Sequence, residues 1–314
     1  MSRFVSILSW LTGLFLLLIL IITAYVYIPV ISDPTKNYLQ RKGTIESSFI
    51  NKQWQTQDSL YSEITINSNS GLQVKLLVRR PAQQQNKPLP VALLLGGLET
   101  GHKGCELIPG IKQVICASLS YPGYTPKRYA GVKFYYRIHD LQRAVKQTPA
   151  AVGLATDYLM QQNYTDKAHL EYIGVSLGAF FISVPAVMDP RIARVWIVQG
   201  GAKPITIIKQ NFLKQVDSER LGTVFSYLIG HAMGAHHIDP VKWVGKISPR
   251  KVILVNSEHD EALPLTTVNA LHQAALQPKE VIWVKGSHVT SSRKDVIAQL
   301  SDIVLSRIAK TSGR

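Results

Sequence analysis

A serine stands between two glycines in Gly174-Val175-Ser176-Leu177-Gly178, after an apolar approach (Leu170 to Ile173) and before an apolar continuation (Ala179 to Val184). The approach reads as a buried strand and the continuation as a helix, so Ser176 falls where a strand turns sharply into a helix. Glycines at both flanks remove the Cβ atoms that would block so tight a turn, leaving the Ser176 Oγ exposed and the Leu177 amide aimed at a developing oxyanion. A serine hydroxyl is a poor nucleophile at neutral pH. It needs a histidine to take its proton and a carboxylate to hold the imidazole in the right tautomer. His288 in Lys285-Gly286-Ser287-His288-Val289 follows the apolar run Val281–Val284, which places it on a loop at a strand's C-terminal end, the edge where open α/β sheets build their sites. The loop after the run Val252–Val255 offers three carboxylates, Glu258, Asp260 and Glu261.

The other histidines fit less well. His139 stands beside Asp140 at a helix start and reads as a capping or surface residue, and the pair His236-His237 lacks the helical spacing of metal ligands. Neither a metal nor an organic cofactor is implied. Cys105 and Cys116, the only cysteines, are compatible with a short bridged loop or with two free core thiols.

These residues need a scaffold, and 314 residues are ample for a large core. Lys and Arg exceed Asp and Glu by fifteen, but the surplus is spread along the chain. With no aromatic-studded basic patch or nucleic-acid motif, a solvated basic surface or attraction to anionic headgroups remains, and nucleic acid is not expected as a partner. Residues 4–32 contain no charged residue and exceed the roughly twenty residues that cross a bilayer. A cleaved signal peptide would have a shorter apolar region and a small-residue cleavage site, and Tyr25-Val26-Tyr27-Ile28-Pro29 does not resemble one. The expectation is an uncleaved single-pass anchor with Trp10, Tyr25 and Tyr27 near its ends, its orientation unspecified by Arg3 on one side and Lys36, Arg41 and Lys42 on the other. Residues 33–57 are polar and read as a tether or N-terminal cover.

From residue 58 the chain becomes regular. Leu60–Ile66 and Leu72–Val78 alternate around Asn67-Ser68-Asn69-Ser70-Gly71, a hairpin signature. Short apolar runs follow at Val91–Leu95, Val114–Ala117, Leu170–Ile173, Val195–Val198, Val252–Val255 and Val281–Val284, as expected of strands buried on both faces. Helix-length segments at 139–162, 177–188, 265–275 and 293–309 separate most of them. Eight strands result, the first two antiparallel and the rest mostly parallel.

The order of hairpin, strand, Gly96-Gly97 loop, strand, long helix, Gly174-Val175-Ser176-Leu177-Gly178, then Asp and His late in the chain resembles the α/β-hydrolase fold family over 58–310. The family's acid lies in a loop like Asn256 to Pro264, with a proline a few residues later, which carries the role to Asp260, with Glu258 and Glu261 as neighbouring rivals. The resemblance also implies a second oxyanion donor in Gly96-Gly97-Leu98-Glu99-Thr100-Gly101. Many members place a histidine before the first glycine, where this chain has Leu95, so the donor stays open between Gly97 and Leu98. The resemblance thus implies a hydrolase domain over 58–314 with a cap insertion at about 201–249. Apolar stripes in that insertion, among them Ile205, Ile208, Phe212, Val224, Phe225 and Leu228, read as core packing or as the wall of an acyl or aromatic pocket. The implied function is membrane-anchored, serine-dependent ester hydrolysis of a small-molecule acyl substrate, with a lipid-like acyl group among the options. A prolyl-oligopeptidase-like peptidase, another acyl hydrolase, or a non-catalytic binding protein of the same fold are the alternatives. Oligomeric state is unspecified.

Overall fold

A computed structural model describes residues 2–31, 33, 35–83, 87–97, 100–123, 134–214 and 217–311. The strands are β1 (Ile45–Gln55), β2 (Ser59–Ser68), β3 (Gln73–Pro81), β4 (Leu89–Leu95), β5 (Ile115–Leu119), β6 (Thr165–Val175), β7 (Arg194–Val198), β8 (Lys251–Ser257) and β9 (Lys279–Val284). They form one sheet in the order β1-β2-β3-β5-β4-β6-β7-β8-β9. β1 to β3 pair antiparallel, β3 joins β5 antiparallel, and β5, β4 and β6 to β9 are parallel.

The central strands read as continuous apolar runs because helices cover both faces. Period-2 alternation sends Leu93 and Leu95 to one face and Ala92 and Leu94 to the other. The first face packs against α3 (Phe134–Gln161), α4 (Leu177–Phe181), α5 (Ser183–Met188) and α8 (Leu265–Ala274). The second packs against α9 (Lys294–Thr311) through Val296, Leu300, Val304 and Ile308 at helical spacing.

The sheet has nine strands, not eight, because β1 lies within the segment read as a tether. Its side chains are exposed along almost the whole strand, so it carries no apolar alternation for a sequence reading to find. What holds it is the ladder to β2 plus polar and aromatic cross-strand pairs: Asn51 Nδ2 donates to Thr65 Oγ1 (2.8 Å), and Trp54 stacks on Tyr61 with centroids 5.0 Å apart. The same segment contains α2 (Tyr38–Lys42), docked on α3 by the buried Tyr38 ring and the Lys42–Asp157 ion pair. At its start the chain forms α1 (Ser2–Ile31), in which Val5–Ile31 give 27 residues that include an 18-residue stretch of mean hydropathy 2.8, long and apolar enough to cross a bilayer. Cys105 and Cys116 are unbridged, both buried, with Sγ atoms 3.0 Å apart; burial pushes the Cys105 thiol up.

Candidate active site

β6 ends at Val175 and α4 begins at Leu177, so Ser176 alone makes the turn. Its φ of 53° and ψ of −114° lie in a sparsely populated region for a residue with a Cβ, a strain the surrounding packing holds in place. The flanking glycines are required by contact. A Cβ on Gly174 would lie 2.5 Å from Ile182 Cγ2, and one on Gly178 only 1.8 Å from the Leu95 carbonyl oxygen. The backbones of α4 and the end of β4 therefore meet closely, and Ser176 N is tied to Val198 O at 3.0 Å.

Two loops at the same sheet edge complete the arrangement. His288, buried after β9, has Nε2 at 2.8 Å from Ser176 Oγ and Nδ1 at 2.8 Å from Asp260 Oδ2. A carboxylate only accepts, so Nδ1 carries the proton and Nε2 is left as the acceptor for the serine hydroxyl. The Asp260 side chain is 4% exposed, and its other oxygen accepts from the amides of Ala262 (2.9 Å) and Leu263 (3.0 Å), which fixes the carboxylate plane. Glu258 is exposed at the loop's start. Glu261 takes a different part: it accepts the His288 backbone N–H at 2.9 Å and pairs with Arg293, which in turn donates to His288 O at 2.6 Å. The His288 amide, with Arg293 beside it, holds the Glu261 carboxyl down at about 2. A depressed carboxylate contributes what it stabilises above its unfolded value, and that contribution is lost only as pH falls through the folded one, so this latch persists well into acid.

Sequence reasoning missed Gln199. It directly follows β7, is fully buried, and has a φ of 48°. Its Nε2 donates to Ser287 O (3.1 Å) and to Ser257 Oγ, and its Oε1 accepts from Val289 N, so it grips the backbone on both sides of His288. Its place one residue past the run Val195–Val198 was the only available signal. Gln199→Leu keeps the volume and removes every one of these bonds. For the hydrolase proposed below, we expect kcat to fall about 10–100-fold with KM little changed, because a misplaced imidazole impairs proton transfer more than binding. Steady-state kinetics with the thermal midpoint measured alongside checks this.

Leu177 opens α4, so its N–H is among the first-turn amides that have no carbonyl one turn back. Gly96 and Gly97 border the same space as Ser176. That loop is held by the buried Tyr121 hydroxyl, which donates to Gly96 O at 2.6 Å, and by Thr100, whose Oγ1 donates to Gly97 O at 2.8 Å. The close approach of Gly178 to Leu95 brings the α4 amides beside this loop. Leu98, the other candidate donor, and Glu99 lie outside the described residues.

A cavity of about 280 Å³ opens at Ser176. It runs between the sheet and α9, walled by Leu94, Ile173, Ile297, Leu300, Val304 and Leu305, with Thr100, Thr290 and Ser291 near the serine and no charged side chain among its described lining. The segment 201–249 contributes none of these residues. Its apolar stripes lie instead in two helices, α6 (Pro204–Leu213) and α7 (Glu219–Ala232), that pack on each other, and several of the large side chains of α7 are exposed. Among the described residues no group of three or more His, Cys, Asp or Glu is placed to hold a metal ion.

Comparison of this architecture with solved structures gives extensive matches. An acetyl xylan esterase from Paenibacillus sp. R4 superposes with a TM-score of 0.64 at 13% identity, covering 88% of this chain and 92% of its own. An acetyl xylan esterase from Thermoanaerobacterium sp. JW/SL YS485 gives 0.59 at 10% identity, covering 88% and 94%. An alpha/beta hydrolase from Penicillium sp. sh18 gives 0.56 at 14% identity, covering 80% and 99%. The chain has the α/β-hydrolase fold. No family model matches its sequence, and no curated protein matches it significantly. In the hydrolase fold seen here, the strand-to-helix turn with Ser176 and the loops carrying Asp260 and His288 all sit at the C-terminal edge of the parallel strands.

Proposed function

We propose that the protein is a membrane-anchored serine hydrolase that cleaves carboxylic esters through an acyl-enzyme, with Ser176, His288 and Asp260 as its triad. The observation that carries this is the unbroken chain of 2.8 Å contacts from Ser176 Oγ, which lines an apolar cavity, through His288 to Asp260. As Ser176 Oγ bonds to the ester carbonyl carbon, its proton passes to His288 Nε2, and Asp260 stabilises the imidazolium. The carbonyl oxygen gathers negative charge facing the Leu177 amide and a second amide from Gly97 or Leu98. Collapse of the tetrahedral species expels the alcohol, which takes the proton from Nε2. Water, deprotonated by the same nitrogen, then releases the acid and restores Ser176.

The cavity supports an acyl group longer than acetyl. Its volume of about 280 Å³, near the lower end of small-ligand pockets, and its apolar walls leave room for a chain of medium length. In a panel of nitrophenyl esters of graded chain length, with aminoacyl amides beside them, we expect kcat/KM to rise about 100-fold from acetate to octanoate and to fall again for palmitate. Val304→Phe, which puts bulk on the cavity wall, should move the optimum to shorter chains. Faster turnover of the amides than of every ester would contradict ester hydrolysis.

Retention of α1 is supported by contacts that a cleaved leader has no need of. Gln142 Nε2 donates to both Val26 O (2.7 Å) and Ala232 O (2.6 Å), Tyr27 Oη donates to Leu228 O (3.0 Å), and His237 Nε2 donates to Val30 O (2.6 Å). Val30 is buried, and the Tyr25 ring meets His139 edge-on at 4.8 Å.

A further inference from the structure

The α6–α7 pair has its polarity reversed relative to a helix pair of a water-soluble domain. In α7, Gly222, Ser226 and Gly230 recur every fourth residue and are buried, and a Cβ on Gly222 would meet Leu213 at 2.6 Å, one on Gly230 Ile205 at 2.7 Å. The helix thus meets α6 through its small residues. Its large apolar residues, Leu221, Val224, Phe225 and Leu228, fall at i, i+3, i+4 and i+7 away from those small residues and are 44–54% exposed, although one face of the Phe225 ring stacks on Phe212 of α6 with centroids 5.6 Å apart. Small residues between helices with bulky apolar residues outward is the arrangement of helices that face lipid.

The occupant of this face is indicated by what adjoins it. α1 docks by its C-terminal turns on the C-terminal half of α7, at Leu228 and, through Gln142, at Ala232, so the exposed stripe continues from the base of the one helix able to cross a bilayer among the described residues. The segment 201–249 carries six basic residues (Lys203, Lys209, Lys214, Arg220, Lys242, Lys246) against three acidic ones (Asp217, Glu219, Asp239), a balance suited to anionic headgroups. The stripe is too short to span, since a crossing takes about twenty residues, but it suits a helix lying in the interface plane.

We propose that the α6–α7 hairpin is a second membrane contact, with Leu221, Val224, Phe225 and Leu228 of α7 seated in the headgroup–acyl boundary of the bilayer that α1 enters. This rests on α1 being retained as an anchor. Two attachments fix the catalytic domain's attitude to the membrane, where a lone helix would leave it free to tilt.

The test uses the full chain in vesicles of phosphatidylcholine and phosphatidylglycerol. Nitroxide labels are placed singly by Leu221→Cys, Val224→Cys, Phe225→Cys and Leu228→Cys, with Thr223→Cys and Phe49→Cys as water-facing references and Leu17→Cys on α1; the unsubstituted protein, whose two thiols are buried, serves as the blank. The ratio of relaxation by oxygen to relaxation by a water-soluble nickel chelate is the readout. We expect it to be about five-fold or more higher at the four stripe positions than at the references, at depths of about 5–10 Å. Stripe ratios equal to the references overturn the proposal; a high ratio at Leu17 then leaves the anchor standing, and a low one removes both. Protection from both reagents with spin–spin broadening also overturns it, in favour of contact between two copies of the chain.

Discussion

Replacing Ser176 by alanine is expected to lower ester turnover by about 10⁴–10⁶-fold while leaving the fold intact. The loss is large because in the proposed mechanism the hydroxyl is the only group that both forms the bond to substrate and hands its proton to His288 Nε2, 2.8 Å away. What remains is whatever the Leu177 amide and the cavity do for attack by water, so residual activity should lie above the uncatalysed rate. The fold is spared because the strained turn is a matter of backbone: Ser176 N bonds Val198 O and Ala179 N bonds Ser176 O at 3.1 Å, and neither uses the side chain. An unchanged thermal midpoint together with the lost turnover checks both halves.

Gly178→Ala is expected to destabilise the protein by about 3 kcal/mol or more, or to prevent folding. A methyl 1.8 Å from the Leu95 carbonyl oxygen and 3.2 Å from that of Gly96 meets backbone, not a flexible side chain, so β4 or α4 must move. Either movement pulls the Gly96-Gly97 loop away from the first turn of α4 and spoils the proposed oxyanion site as well. Gly97→Ala is the control. A Cβ there meets nothing within 4 Å among the described residues, so stability should change by well under about 1 kcal/mol, the range of substitutions that touch no core group. Denaturant unfolding of the two variants separates a requirement for close approach from a general intolerance of the loop.

Where a residue's conformation or strand-end position imposes a pattern, the sequence showed it. The Ser176 turn needs glycines at fixed offsets, and His288 and Asp260 follow apolar runs that are strands β9 and β8. The choice among Glu258, Asp260 and Glu261 was less legible, because three carboxylates within four residues differ only in which way the loop aims them; Glu261 turned out to hold the His288 backbone. Gln199 was not legible at all, since one glutamine after a strand has no periodicity and its role arises from loops 58 and 88–90 residues away. β1 was read as a tether because an edge strand stabilised by its ladder and polar pairs needs no apolar face. The cavity was sought under the 201–249 insertion, whereas its described walls come from α9 and the sheet. The spacing of Ile297, Leu300, Val304 and Leu305 marks a core-facing stripe equally well whether the space before it is filled or hollow.

The central claim is that Ser176 is an activated nucleophile. Fluorophosphonate labelling of the full-length protein, with the modified residue located by peptide mass spectrometry, tests it most directly. One stoichiometric adduct is expected on Ser176, absent from Ser176→Ala and strongly slowed in a variant lacking the His288 imidazole. A folded protein that takes no label, or takes it on another residue, would contradict it.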